Sequence, residues 1–157
     1  MIEFIDNHWE QREIELGIMN SNPAYNLLVN GREVLSEDDI QKEYEESKKL
    51  KTERYLVKID GKALGVIDFC PLNLNDQMPW LGLLVMHRSV QANGLGKEVY
   101  IEFEKQLKKR NFNVIRLGVI EGNKKACGFW KSIGFSPYDE KMLNGKAIYC
   151  FQKDINR

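Results

Sequence analysis

The sequence is poor in cysteine and contains no long apolar run. Its three cysteines, Cys70, Cys127 and Cys150, are far apart and form no Cys-x-x-Cys pair, which argues against a disulfide framework and against a zinc site. No apolar stretch approaches the ~20 residues that a membrane-spanning helix needs. The first residues show no basic segment followed by an apolar one, so no secretion signal is expected. We therefore expect a cytoplasmic protein with no metal site and no membrane partner.

The sequence also lacks an excess of charge of either sign. Lys and Arg together number 23, as do Asp and Glu, so the formal net charge is zero. Proteins dedicated to nucleic-acid binding usually carry a basic excess, and we expect no nucleic-acid partner here. The hydrophobic content of 43% is typical of a folded chain. Because domains usually span about 100–200 residues, we predict a single domain over residues 1–157.

The order of the predicted elements indicates a mixed α/β fold. Alternating or continuous apolar runs predict strands, and apolar residues at helical spacing predict helices. The predicted strands are residues 2–5, 55–59, 63–69, 81–86, 114–120, 135–143 and 147–155. The predicted helices are residues 8–19, 25–29, 37–50, about 95–110 and 123–133. Asn30-Gly31 predicts the end of the second helix, and Ser36 with Asp39 predicts a capping box at the start of the third. Asp60-Gly61 and Asn144-Gly145 are turn signals that predict two hairpins.

The stretch 90-VQANGLGKEVY-100 has an unusual composition for the start of a helix. Glycine is a poor helix former, and a lysine is unfavourable at the positive end of the helix dipole. The stretch nevertheless places Gly94, Gly96 and Lys97 directly after the apolar run 80-WLGLLVM-86. Neither a P-loop nor a dinucleotide-binding motif fits the spacing. A strand, a glycine turn and a helix together point several backbone N–H groups at one place, which favours phosphate.

The next predicted helix repeats this feature. It begins 123-NKKA-126, where Asn123 is a good N-cap and two lysines again occupy the first turn. Two helix starts with cations at their positive ends suggest one shared ligand that carries several phosphates. The alternative is that the glycines only allow the helix to pack closely on the sheet, with Lys97 solvated.

These two stretches resemble the motifs of the GNAT N-acetyltransferase superfamily. Gln91-Ala-Asn-Gly94-Leu-Gly96 matches the first motif, Q/R-x-x-G-x-G/A, and 123-NKKACGFWKSIGF-135 is similar to the second. The resemblance implies an α/β (α+β mixed) fold with a twisted, mostly antiparallel sheet of about seven strands, helices on both faces and splayed central strands. It also implies that residues 1–50 form variable, substrate-facing helices and that residues 55–155 form the cofactor-binding core.

The resemblance further implies that acetyl-CoA is the anionic co-substrate. It places the pyrophosphate on the backbone amides of residues 91–97, the pantetheine arm beside the strand residues 84–86, and the thiol end near residues of the second motif. The implied cofactor-binding residues are Leu84, Val85, Met86, Gln91, Ala92, Asn93, Gly94, Leu95, Gly96, Lys97, Asn123, Lys124, Ala126, Phe129 and Trp130. The implied reaction is direct transfer of the acetyl group to a primary amine.

The catalytic groups are less well defined. The resemblance implies that the Met86 backbone N–H polarises the thioester carbonyl. An amine must lose a proton, and Asp68, an acid within the apolar strand 66-VIDFC-70, is the first candidate for the general base, with His87 the second. The alternatives are that Asp68 faces solvent by simple alternation and that His87 is a surface residue. Trp130 stands where the family often has the tyrosine that acts as general acid, so no general acid is assigned.

We predict an acetyl-CoA-dependent N-acetyltransferase that acts on a primary amine of a small molecule, a peptide or a protein, as a monomer or homodimer. An alternative is a non-catalytic acyl-CoA-binding regulator with the same fold, because Trp130 cannot protonate a thiolate at neutral pH. The acceptor is not defined by the sequence.

Overall fold

A computed structural model describes residues 1–156 and contains one seven-stranded mixed sheet. The strand order across the sheet is β1-β2-β3-β4-β5-β7-β6. The strands are β1 (Ile2–Asp6), β2 (Glu53–Ile59), β3 (Lys62–Cys70), β4 (Trp80–Met86), β5 (Val114–Ile120), β6 (Ser136–Leu143) and β7 (Lys146–Asp154). All neighbours are antiparallel except β4 and β5, which are parallel. The predicted fold class and the predicted number of strands are confirmed.

Five α-helices accompany the sheet over the described residues. They are α1 (Arg12–Asn20), α2 (Pro23–Asn30), α3 (Glu37–Leu50), α4 (Leu95–Lys109) and α5 (Lys124–Ser132). A 3-10 turn at Trp9–Gln11 precedes α1 and another at Arg88–Val90 follows β4. The single helix predicted over residues 8–19 is therefore a 3-10 turn followed by an α-helix.

Local sequence signals set the ends of the N-terminal helices. Gly31 follows α2 with a left-handed φ of +79°, a conformation that favours glycine and often ends helices. Ser36 caps α3, and the Asp39 carboxylate accepts a hydrogen bond from the Ser36 backbone N–H at 2.7 Å. This reciprocal arrangement is the capping box that the sequence predicts.

Helices cover both faces of the sheet, as predicted. On one face α4 and α5 pack on the strands around buried residues that include Tyr100, Phe103 and Trp130. On the other face α1 buries Ile18 and Met19 against Leu56, Val66 and Val85 of the sheet. Because side chains alternate along a strand, adjacent residues of β3 serve different faces.

The sheet is open between β4 and β5. The two strands share only one residue pair in register, Trp80 with Arg116, at the start of β4. Beyond that pair the strands diverge, so the second half of β4 has no strand on its β5 side. The predicted splay of the central strands is confirmed.

Candidate active site

The gap beside β4 presents backbone donors. The N–H of His87 donates to the Leu64 carbonyl on β3 at 2.7 Å. Successive N–H groups of a strand alternate between its two edges, so the N–H groups of Leu84 and Met86 point into the gap. An extended chain with amide groups can pair with such an exposed strand edge. The gap therefore fits the pantetheine position that the family resemblance implies.

The carbonyl of Met86 is already occupied within the protein. It accepts hydrogen bonds from the side-chain amides of Gln91 at 2.8 Å and Asn22 at 3.1 Å. Gln91 also donates to the Asn22 side-chain oxygen at 2.7 Å. A bound molecule can use the Met86 N–H but finds both lone pairs of that carbonyl engaged. The sequence leads us to expect strand-like pairing of a bound chain along residues 84–86. At Met86 such a chain can pair with the N–H but not with the carbonyl.

The glycine turn leaves the start of α4 without a side-chain cap. Gly94 immediately precedes the helix with a left-handed φ of +75°, and it contributes no side-chain acceptor to the first turn. The first N–H groups of a helix lack intrahelical partners, and the dipole draws anions to them. Lys97, also in the first turn, is exposed. This helix start has the geometry and the charge to hold a pyrophosphate.

The second motif lies next to the first in space. A side chain added at Gly96 would bring its Cβ to 3.6 Å from the Phe129 ring and 3.9 Å from the Met86 side chain. Asn123 accepts a hydrogen bond from the Ala126 N–H at 3.2 Å and so caps α5, as predicted. Gly96, in the first turn of α4, therefore lies next to Phe129 of α5 and to Met86 at the end of β4.

Trp130 is a buried core residue. Its ring packs edge-to-face on Tyr100 at 5.5 Å, on Phe129 at 4.9 Å and on Phe135 at 5.2 Å between centroids. Such pairs contribute about 0.5–1.5 kcal/mol each beyond the area they bury. The tryptophan thus anchors α5 to α4, a role that does not depend on proton transfer.

A cavity of about 230 Å³ lies on the opposite face of the sheet, against β3 and β4. Its floor is formed by Asp68, Gly82 and Leu83, at a bulge where Gly82 is the extra residue of β4 opposite Asp68. Met19 and Leu35 form part of the apolar wall. Besides Asp68, the polar side chains that line it are Glu15, Tyr25, Asn30, Asp39, Lys42, Glu43 and Arg54. A small acceptor molecule held here would lie directly beside β4.

Asp68 is buried at the base of this cavity, with 8% of its surface exposed. Its Oδ1 accepts a hydrogen bond from Arg54 Nε at 3.0 Å. Burial raises the pKa of Asp68 to about 6, and the carboxylates of Glu15 and Glu43 act in the same direction, whereas Arg54 opposes them. The alternative that Asp68 faces solvent is wrong, because α1, α2 and α3 cover this face of the sheet.

Tyr25 shares this environment. Burial raises the pKa of its hydroxyl to about 12, and the nearby charges of Asp68 and Glu43 contribute. The hydroxyl therefore stays protonated across the physiological range and serves as a neutral hydrogen-bonding group in the wall of the cavity.

His87 does not reach this cavity. Its Nδ1 accepts a hydrogen bond from the Ser89 N–H at 3.1 Å and lies 2.8 Å from the Ser89 hydroxyl. The imidazole thereby caps the 3-10 turn that follows β4. The two sequence candidates for the general base are thus apart, and only Asp68 lines the cavity.

Sequence reasoning missed Glu15 and Arg54, the two charged partners of Asp68. On α1 the apolar Ile14 is 43% exposed, whereas the neighbouring Glu15 is only 2% exposed. The helix buries Glu15, Ile18 and Met19, which follow the i, i+3, i+4 spacing of one face. That spacing is the signal that could have placed Glu15 inside.

A second cavity, of about 300 Å³, is lined by residues of β1, β2 and α3 and of the segments that adjoin them. It touches neither β4 nor the glycine turn, so its larger volume does not make it the acceptor site. Within residues 1–156, no group of three or more His, Cys, Asp or Glu side chains could hold a metal ion. Over the same residues, no helix has the length and apolar character to cross a membrane.

Comparison with known proteins shows the family of this chain. The sequence model of the acetyltransferase (GNAT) family matches residues 19–135. The match covers most of the chain and includes both motifs, and the chain belongs to the GNAT acetyltransferase family. No curated protein matches it.

Solved structures share the fold at low sequence identity. An acetyltransferase from Thermus thermophilus superposes with a TM-score of 0.82 at 17% identity, over 98% of this chain and 97% of that one. The yncA protein from Salmonella typhimurium, solved with its cofactor acetyl-CoA, gives 0.70 at 15% identity, over 100% and 95%. The paiA N-acetyltransferase from Thermoplasma acidophilum, in complex with coenzyme A, gives 0.67 at 17%, over 98% and 99%.

Proposed function

We propose that this protein transfers the acetyl group of acetyl-CoA to a primary amine held in the cavity above Asp68. The observation that carries the proposal is the arrangement around β4. One edge of the strand opens on a gap beside the start of α4, and the Asp68 carboxylate, on the neighbouring strand β3, lies beside the bulge of β4. The similar structures that hold acetyl-CoA or coenzyme A support the choice of co-substrate.

The residues fit the co-substrate at three points. The uncapped first turn of α4 with Lys97 would hold the pyrophosphate, and the gap-facing N–H groups of Leu84 and Met86 would pair with the pantetheine arm. The space at Gly96, beside Phe129, keeps this path open. When bound, acetyl-CoA supplies an activated acetyl group on a thiolate leaving group.

The protein's own part is to orient the amine and take its proton. Asp68 is the proposed general base, because it is the acid buried at the cavity floor beside the β4 bulge. An ammonium acceptor would lose one proton to Asp68 and become nucleophilic. The carbon–sulfur bond then breaks as the carbon–nitrogen bond forms. The nitrogen then loses a second proton, which protonates the thiolate to give the coenzyme A thiol. The proton taken up by Asp68 passes to solvent, so one proton is released overall.

The first test is thermal stability with and without acetyl-CoA, followed by a screen of amines for thiol release. A ligand at ~100 times its dissociation constant should stabilise the fold by about 2.7 kcal/mol. Gly96→Glu should abolish this effect, because its side chain enters the space beside Phe129. Gly128→Glu is the matched control, since Gly128 is exposed on α5 with no atom within 4 Å of an added Cβ. If acetyl-CoA stabilises neither the wild-type protein nor the Gly128→Glu control, the proposal is refuted.

A second candidate is a regulator that binds acyl-CoA without turnover, favoured by the burial of Trp130 where a general acid often stands. Stabilisation by acetyl-CoA without thiol release for any amine would support it over the enzyme.

A further inference from the structure

Four polar side chains form a continuous buried chain behind the cavity. Asn7 donates to Glu15 Oε1 at 2.8 Å, Arg54 Nη2 contacts Glu15 Oε2 at 2.5 Å, and Arg54 Nε contacts Asp68 Oδ1 at 3.0 Å. The Arg54, Glu15 and Asp68 side chains are only 5%, 3% and 11% exposed. Three elements, α1, β2 and β3, thus contribute one charged residue each to a single network.

The charges in this network do not balance. One guanidinium is shared by two carboxylates, and on the α3 side of the same cavity the charge of Lys42 is outnumbered by those of Asp39 and Glu43. Tyr25 of α2 adds a neutral hydroxyl to this wall. The network therefore carries one surplus negative charge, which is most easily balanced by a proton or by a cation that enters the cavity.

Only one oxygen of Asp68 is used by the network. Arg54 engages Oδ1, while within residues 1–156 no side chain or backbone group donates a hydrogen bond to Oδ2. Asp68 also lines the cavity. A buried ion pair adds little to stability compared with apolar packing, so stability alone gives no reason for three buried charges at this position.

We propose that Arg54 and Glu15 are positioning residues for acetyl transfer. They hold the Asp68 carboxylate toward the cavity, and their opposite charges keep both its ionised and its protonated form accessible. The proposal rests on the proposed function, because it assigns to Asp68 the proton of the acceptor amine. Arg54 favours the carboxylate that accepts the proton, and Glu15 favours the acid that results. The proton moves from the acceptor ammonium to Asp68 and then to solvent, with no change of oxidation state.

The two neighbours must therefore act on Asp68 with opposite sign. Glu15→Gln removes a negative charge and should lower the pH at which Asp68 titrates by about one unit. Arg54→Met removes the positive charge and should raise that pH by a similar amount. Arg54→Lys keeps the charge without the planar fork, and should return the titration toward that of wild type.

The experiment measures the titration in two independent ways. The carboxyl carbons of ¹³C-aspartate-labelled protein are followed by NMR from pH 4 to pH 9, with Asp68 assigned by the signal lost in Asp68→Asn. The acid limb of kcat/KM for the best amine is measured on the same variants. We expect the NMR midpoint and the acid limb to move together, down in Glu15→Gln and up in Arg54→Met.

A second arginine–glutamate pair, outside the cavity, supplies the control variants. The Arg110–Glu53 pair, 2.7 Å at both contacts and partly exposed, provides Arg110→Met and Glu53→Gln as matched controls that should move neither readout. If Arg54→Met does not fold, Glu15→Gln and Arg54→Lys still decide the question. An unmoved midpoint in Glu15→Gln overturns the proposal, as does a midpoint that moves while the acid limb stays fixed. Absence of any acetyl transfer by wild type overturns the proposed function itself. The NMR titration needs no turnover, so it shows separately whether Glu15 and Arg54 act on Asp68.

Discussion

The side-chain amide of Asn22 donates to the Met86 carbonyl across 3.1 Å, although the two residues are 64 positions apart in the sequence. Asn22 lies between α1 and α2, and Met86 ends β4. The contact ties the helices that cover the cavity to the strand that borders the gap. Arg88 N–H adds a second tie at 3.0 Å to the Ser21 hydroxyl.

Asn22→Ala should lower the free energy of unfolding by about 1–3 kcal/mol, because it leaves buried hydrogen-bond partners without a mate. Urea denaturation monitored by tryptophan fluorescence measures the change. Asn75→Ala is the control, since Asn75 is exposed and should shift stability by less than about 0.5 kcal/mol. Equal stability of the two variants would show that the Asn22 contact contributes nothing.

Asp68→Asn should abolish the acid limb of the activity profile. In wild type, Asp68 has a pKa of about 6 and accepts a proton only when ionised, so kcat/KM should fall as the pH drops below 6. Loss of a general base typically costs about 10²–10⁴ in rate, and Asp68→Asn should lose that factor at pH 7.5. Asp38→Asn, at an exposed position on α3 outside the cavity, should keep both the rate and the limb. If the acid limb persists in Asp68→Asn, another group acts as the general base.

Gly118→Ala should destabilise the junction of β5 and β7. The added Cβ would lie 2.8 Å from Cγ2 of Ile148, a branched side chain with little rotational freedom. Overpacking of this kind costs roughly 1–3 kcal/mol. The double variant Gly118→Ala/Ile148→Ala removes the opposing methyl group. If the clash is real, it should lose less stability than the sum of the two single variants, as measured by a thermodynamic cycle.

Gly128→Ala should stabilise the protein. Gly128 is exposed within α5, its φ is not positive, and no atom lies within 4 Å of an added Cβ. Replacing such a glycine by alanine gains about 0.4–1 kcal/mol, mainly because the unfolded chain loses freedom. A differential scanning measurement should show a higher Tm. A lower Tm would mean that the α5 backbone at this position is under a constraint that the glycine relieves.

The sequence was most informative where a single residue controls local geometry. Ser36 and Asp39 predicted the start of α3, and Gly31 predicted the end of α2, because caps and left-handed positions depend on neighbours within a few residues. The hairpin at Asn144-Gly145 follows for the same reason. The family resemblance added the splayed, mostly antiparallel sheet, which local signals do not contain.

The sequence was least informative where distant charged residues meet. The Glu15–Arg54–Asp68 network joins residues from three elements, and its members are buried because helices cover a face that alternation alone would leave open. Neither residue spacing nor composition predicts that these side chains are in contact, because the contact depends on the angle at which α1 crosses the sheet. The engagement of the Met86 carbonyl by Asn22 and Gln91 was hidden for the same reason.

The splay of β4 from β5 has a consequence for hydrogen exchange. The N–H groups of Leu84 and Met86 face the gap, whereas that of Val85 points to β3, to which it is paired through Val66. Along one strand, exchange with deuterated solvent should therefore alternate between fast and slow amides. A bound chain that fills the gap would protect the gap-facing amides and remove that alternation. The exchange rate of each amide therefore reports whether its edge of β4 is hydrogen-bonded.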